Sequence, residues 1–318
     1  MQTDVGSPID TVTASYIYAV RYGYSDTVIH NDNQLRIFPR EGEGQFVSET
    51  EIWSIPGGRG VDYKDRFGNR VRRLRVIEPH NTFIVAAAGR VSLSTELPDA
   101  ADVAIADLQE LPESFDFTAV SPLVDPATVS GLAAAVAGGD GYLLSAVNSI
   151  VQWVYQSIMY KRGTTSVATT ADQVLAAGEG VCQDKTHLAL AMLRALGVPC
   201  RYASGLITGQ TGETHSWVEF FHPDDGWLGA DPTRGLILPP ARDYVKLGVG
   251  RDYTDVSPVA GSFLSKGEAQ DIAAIADVTL DDTRPTLGDA LELLERAYIV
   301  QNESGGLGLP MDRPERDR

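Results

Sequence analysis

The sequence predicts an α+β protein, an N-terminal antiparallel β-sandwich followed by a domain that joins helices to an antiparallel sheet. Three observations carry this. Short β-rich runs separated by turn residues fill the first third of the chain. The apolar period then lengthens to that of helices between residues 143 and 196. Strand-like runs return from Cys200 onward.

Tyr16 to Tyr22, Leu35 to Phe38, Gln45 to Val47, Val71 to Ile77 and Thr82 to Ala86 read as strands, being rich in β-branched and aromatic residues. Turn residues stand between them at Pro39 to Gly44, Pro56 to Gly58 and Phe67 to Asn69. Arg70, Arg72, Arg73 and Arg75 read as one solvated strand face rather than a ligand cradle. Residues 98–126 are acidic and contain prolines, which suits a linker packed by Leu108, Phe115 and Phe117.

Leu143, Val147, Ile150, Val151 and Val154 then recur at helical spacing. A shorter helix is expected over 170–175, and a third from Cys182 to Leu196, ended by Gly197. Strands follow at Cys200 to Ile207, His215 to Phe221 and Trp227 to Ala230. Leu287 to Val300 suits one last helix before a Gly-, Pro- and charge-rich end, read as mobile. The expected division is 1–97 for the β-sandwich, 98–126 for the linker, 127–280 for the helix-and-sheet domain and 281–318 for the tail.

Composition excludes some classes of function. A net charge of -17 opposes nonspecific binding to nucleic acid or an anionic membrane. Two cysteines cannot form a dense disulfide framework. Neither a signal peptide nor an apolar run of membrane-spanning length stands out, so a cytoplasmic protein is expected.

The chemistry concentrates at three places. Cys182 follows Gly178-Glu179-Gly180 at a helix start, where free N–H groups and the positive helix end favour a thiolate. His215 begins an alternating strand, with Trp217 and Glu219 on its own face. Asp231 ends the next strand and can take the Nδ1 proton of His215, leaving Nε2 for the thiol. Each also has a bland reading: a buried thiol, a strand histidine and a turn opener. No metal is expected, since Cys182, His187, Cys200 and His215 lack zinc spacing. His187 lies about 140° around the helix axis from Cys182, at roughly 100° per residue. No cofactor is called for.

Gly180 to His187, Arg194 to Tyr202, His215 to Glu219 and Trp227 to Thr233 together resemble the transglutaminase-like superfamily of papain-like thiol enzymes. Tyr16 to Tyr24, Leu35 to Arg40, Gln45 and Asp65 to Asn69 resemble the N-terminal β-domain of its bacterial and archaeal members, and Gly250 to Pro258 is similar to their closing motif. The chain departs from the pattern at Lys185-Thr186, where relatives often carry an aromatic or small pair. The resemblance implies Cys182 as nucleophile, His215 as base and then acid, and Asp231 as the group that orients it. The Cys182 N–H is the natural oxyanion donor, with Gln183, Trp153 and Trp217 as further oxyanion or substrate candidates. The expected activity is peptidase or amidase on a protein or peptide. Protein cross-linking and a noncatalytic binding module are the alternatives.

Overall fold

The computed structural model describes residues 10–108 and 114–303. The chain first lays down β1 (Thr11–Val28), β2 (His30–Leu35), β3 (Gln45–Ile55), β4 (Arg59–Lys64), β5 (Arg70–Val76) and β6 (His80–Ser94). A mostly helical stretch follows: α1 (Ser114–Thr118), α2 (Ser130–Ala137), α3 (Leu143–Ser157), α4 (Ala171–Ala177) and α5 (Cys182–Ala195). Two short strands, β7 (Met159–Tyr160) and β8 (Glu179–Gly180), pair in parallel between these helices. Then come β9 (Cys200–Ile207), β10 (Thr211–Gly212), β11 (His215–His222), β12 (Gly226–Asp231), β13 (Leu236–Ile237) and β14 (Tyr244–Gly250). The described chain closes with α6 (Tyr253–Val256), β15 (Val259–Leu264), β16 (Ala269–Thr279) and α7 (Leu287–Glu303). The tail expected beyond residue 303, the middle of the expected linker and the Phe115 side chain lie outside the described residues.

The first strands form two antiparallel sheets, ordered β10-β16-β1-β6-β3 and β15-β2-β5-β4. Tyr16, Val20, Leu35, Leu74 and Val85 are buried in their common core. The expected boundary at residue 280 follows sequence order, and the sheets do not. β15 pairs with β2 and β16 with β1, so residues 259–279 complete the strand-rich unit rather than the helix-and-sheet unit. Helix α7 then covers the outer face through Ala290, Leu294 and Ala297, which meet Ile17, Ala19 and Ala273.

The arginines of β5 do not share the one face expected of them: strand alternation puts Arg70 and Arg72 on one side and Arg73 and Arg75 on the other, each pair with its own carboxylate. Arg70 and Arg72 hold Asp62 on β4, and Arg73 and Arg75 hold Asp32 on β2. Both sides are ion-paired surfaces between strands rather than a ligand cradle, exposed enough that each pair adds little stability.

The remaining sheet runs β13-β12-β11-β9-β14 and is antiparallel throughout. Its alternation decides what it packs against. Val218 and Phe220 on β11 face α5 in the helical core, with Leu188 and Met192 of α5 and Val147 and Ile150 of α3. Trp217 on the opposite face packs with Ala203, Tyr244 and Val249. Among the described residues no helix is long and apolar enough to cross a membrane.

Candidate active site

Helix α5 brings Cys182 to the site. Val181 precedes it in extended conformation, and the Val181 N–H donates to Asp184 Oδ2 at 2.7 Å. The Thr165 hydroxyl donates to the same oxygen. Burial pushes the Asp184 carboxyl up, against these hydrogen bonds. The glycines that precede the thiol have local duties. Gly178 ends α4 at a φ of +68°, a conformation costly for other residues. A Cβ on Gly180 would lie 2.7 Å from that of Asp184, so the capping carboxylate needs glycine there. The Cys182 Sγ lies 3.9 Å from the Thr214 carbonyl, on the residue just before His215. The thiol helix is tied to the histidine strand by Thr186 Oγ1 and Ser216 Oγ, 3.1 Å apart. Its neighbour Lys185 is buried and donates to the Tyr155 carbonyl.

His215 and Asp231 are both buried and lie 2.7 Å apart, with Nε2 of the ring meeting Oδ2 of the carboxylate. This corrects the expected roles of the ring nitrogens. Val218 pairs with Ala230, so Asp231 falls one step on, opposite Trp217 and diagonal to His215 on the same face. The distal nitrogen reaches across that diagonal, which leaves Nδ1 for the thiol. Burial alone would lower the imidazole pKa. The Asp231 charge and hydrogen bond, helped by Cys182, outweigh it and hold His215 up at about 10.

Asp231 is fully enclosed by donors. Its Oδ1 accepts from the N–H groups of Thr233 and Arg234, which forms the turn, and its Oδ2 also accepts from the Tyr244 hydroxyl at 2.9 Å. The Arg234 guanidinium in turn donates to that hydroxyl. Burial would raise the Asp231 pKa, but His215 and these donors hold it below the ordinary carboxylate value. Trp217 and Tyr244 flank the imidazole, with ring centroids 6.4 and 6.1 Å away and near-parallel planes.

The thiol and the imidazole line one cleft of about 600 Å³, together with Gln183, Tyr202, Thr214 and Ser216. Gln183 donates to the Val167 carbonyl at its mouth. Trp217 does not line this cleft but opens on a separate hollow behind the sheet. Trp153 is not at the cleft either: it packs against the helical core, because its place on α3 points inward. Sequence reasoning missed Tyr244 and Arg234, which fix the carboxylate, and no spacing or motif announces them. It also missed Tyr160, which β7 sets near the thiol; burial and the Cys182 charge push its phenol up to about 12. His187 is buried, and its Nε2 accepts from the Tyr253 N–H. Among the described residues no group of three His, Cys, Asp or Glu side chains could hold a metal ion.

The fold is that of transglutaminase-like cysteine proteases. A solved structure of a candidate cysteine protease from Cytophaga hutchinsonii superposes with a TM-score of 0.70 at 21% identity, over 87% of this chain and 93% of that one. The chain belongs to the transglutaminase-like superfamily: residues 130–232 match the superfamily core, and residues 15–92 match the bacterial transglutaminase-like N-terminal region. An uncharacterized protein of Mycobacterium leprae is 29% identical over 275 residues, 83% of this chain and 97% of its own length. A protein-glutamine gamma-glutamyltransferase of Pseudomonas aeruginosa is 32% identical over 65 residues, 17% of this chain and 10% of that protein.

Proposed function

We propose that the protein is a papain-like thiol enzyme that opens amide bonds of proteins or peptides through a Cys182–His215–Asp231 triad. The observation that carries this reading is the buried His215–Asp231 pair beside the only thiol that lines the cleft among the described residues. The Cys182 thiolate, its proton already resting on His215 Nδ1, attacks the amide carbonyl. The Cys182 backbone N–H, in the first helical turn where no intrahelical acceptor exists, faces the developing oxyanion. The C–N bond then breaks, the amine leaves with the proton from His215, and a thioester remains on Cys182. Water activated by His215 releases the acid and regenerates the thiol. Asp231 keeps the imidazole oriented and favours its charged form.

Hydrolysis is the favoured outcome, because water is abundant in an open cleft whereas an amine acceptor must first be bound. The short stretch shared with the Pseudomonas glutamyltransferase favours transfer to an amine as the second reading. A lysine amine would then replace water in the last step.

The test is iodoacetamide labelling across pH, with the labelled cysteine located by peptide mapping. Cys182 should label fast well below pH 8 and lose that speed in His215→Ala. Cys182→Ala should abolish turnover and Cys200→Ala should not. Cys200 is buried, and burial pushes its thiol up to about 11. Slow, ordinary titration of Cys182 would move the binding-module reading ahead.

A further inference from the structure

The cleft is closed on the side away from α5 by the strand-rich unit. Along β1 the alternation puts Tyr18, Val20 and Tyr22 on one face, and all three line the cleft. On the neighbouring strand Ile272 pairs with Tyr22 and Ala274 with Val20, and both line it too. Burial pushes the Tyr18 and Tyr22 phenols up, and Tyr253 across the cleft raises them further. They therefore present neutral, largely apolar bodies. Ile272 is 51% exposed, a large aliphatic side chain left uncovered on this wall.

Charge is scarce in the same space. Beyond the reacting thiol and imidazole, Glu213 carries the one formal charge among the described lining residues, and Arg162 lies 3.5 Å from it. No lysine or arginine is among those lining residues. A pocket of this size with one apolar wall and few charged groups suits a side-chain subsite.

We propose that the wall of Tyr18, Tyr22, Ile272 and Ala274 is the specificity pocket of the thiol site. It selects a peptide with a large aliphatic or aromatic side chain beside the reacting amide, and it rejects an acidic one. The inference rests on the thiol-enzyme reading and names its substrate class. An apolar side chain gains by covering Ile272 and the tyrosine rings. A carboxylate there loses water, finds no lining lysine or arginine and meets Glu213, while the His215 charge is already held by Asp231.

The experiment uses the full chain and short acetylated peptides identical except for Leu, Phe, Ser or Glu beside the amide. Leu and Phe should exceed Glu in kcat/KM by about tenfold or more. Ile272→Asp should reduce the Leu value by about tenfold, chiefly through KM, while Cys182 still labels at the wild-type rate. Ile77→Asp, at a still more exposed isoleucine outside the cleft, should change neither. Equal rates for Leu and Glu in the wild type overturn the pocket whether or not the Ile272 variant folds. Equilibrium binding of the same peptides to Cys182→Ala separates the two readings. Ranked binding without wild-type turnover sinks the enzyme and keeps the pocket; neither binding nor turnover overturns both.

Discussion

At the scale of single residues, the site is organised by the two oxygens of Asp231. One shapes the turn after β12, and the other receives His215 and Tyr244. Tyr244→Phe keeps the ring beside the imidazole but removes a donor to a buried carboxylate, and it strips Arg234 of its acceptor. Hydrogen bonds to charged groups contribute about 1.5–3 kcal/mol, so kcat should fall by about tenfold or more with KM nearly unchanged. Equal loss in both constants would show that Tyr244 shapes binding instead. Asp231→Asn tests the charge itself. His215 would lose the Asp231 charge, the largest influence raising its pKa, and keep the burial that lowers it, with only Cys182 left to oppose that burial. Wild-type His215 stays protonated until the pH approaches about 10, whereas the variant's imidazole would be neutral near pH 7. Fast labelling of Cys182 at pH 6–7 should therefore vanish and return only as an ordinary thiol titrates. Unchanged labelling would remove Asp231 from the triad. The three proposed triad residues were legible because each sits in a recognisable local pattern. Which ring nitrogen faces the carboxylate was not legible, since it depends on a diagonal register between strands that spacing does not contain.

At the scale of elements, α3, α5 and α7 were legible because long apolar periods announce them. Three others were hidden for different reasons. β2 is polar in sequence, yet Asn31 and Asn33 are buried and hydrogen-bond each other at 2.6 Å. α2 is built largely of small residues with little amphipathic contrast. β16 alternates weakly and pairs with β1, far away in sequence. The departure at Lys185-Thr186 also gains a reason: one side chain reaches a carbonyl on α3 and the other links α5 to β11. Helix α5 carries a further consequence in His187. Burial pushes this imidazole down to about 4, aided by Arg194 and opposed by Asp252. The folded form holds it neutral, while the unfolded chain takes up a proton below about 6.5. The unfolded state thus binds more protons between these values, and stability falls as pH drops from about 6.5 toward 4. His215 has the opposite sign: its contribution is full below about 6.5 and is lost as pH rises toward about 10. The urea midpoint should drop from pH 7 to pH 5 in the wild type and drop less in His187→Gln, which can still accept from Tyr253. Because His215 is common to both proteins, identical slopes would exclude His187 as the cause.

At the scale of the whole molecule, the question is what holds the two units so that the cleft between them keeps its shape. β14 is an edge strand of the sheet that carries His215 and Asp231, and its open side meets no further strand among the described residues. Side-chain amides from the strand-rich unit take that place. Gln45 accepts from the Lys246 N–H at 2.8 Å and donates to the Lys246 carbonyl at 2.9 Å. Asn69 does the same to Val249, at 2.8 Å from its N–H and 2.7 Å from its carbonyl. Glu43 adds a salt bridge to Arg201 and Lys246, both of which also hold Glu219. The apolar core runs through the same junction, since Leu206, Val245 and Leu247 pack with Tyr16 and Val85. In the sequence Gln45 read as a strand start, Phe67 to Asn69 as a turn, and both as parts of a family pattern; their geometry supplies the physical reason for these residue types.

A molecule joined in this way should unfold as one unit, and Asn69 offers a direct test. Asn69→Ala deletes two hydrogen bonds to the backbone of a buried edge strand and leaves both Val249 groups without those partners. Each stranded group costs about 1–3 kcal/mol, which puts the loss for the two at about 2–6 kcal/mol. Asn69→Asp keeps an acceptor for the Val249 N–H but cannot donate to its carbonyl, and it sets a second carboxylate beside Asp65, which now accepts from the Asn69 amide at 3.0 Å. It should not rescue the alanine variant. Two probes report on different units: Trp53 lies in β3, and Cys182 labelling reports on the cleft. With Trp53 as the sole remaining tryptophan, its fluorescence and the labelling rate should change at one urea concentration in that parent. Both should move together to a lower concentration in Asn69→Ala. Should Trp53 lose its folded signal while Cys182 labelling stays at the native rate, the units stand independently and these amides do not couple them. A coincident shift would mean that the wall opposite Cys182 is held by the same bonds that hold the fold.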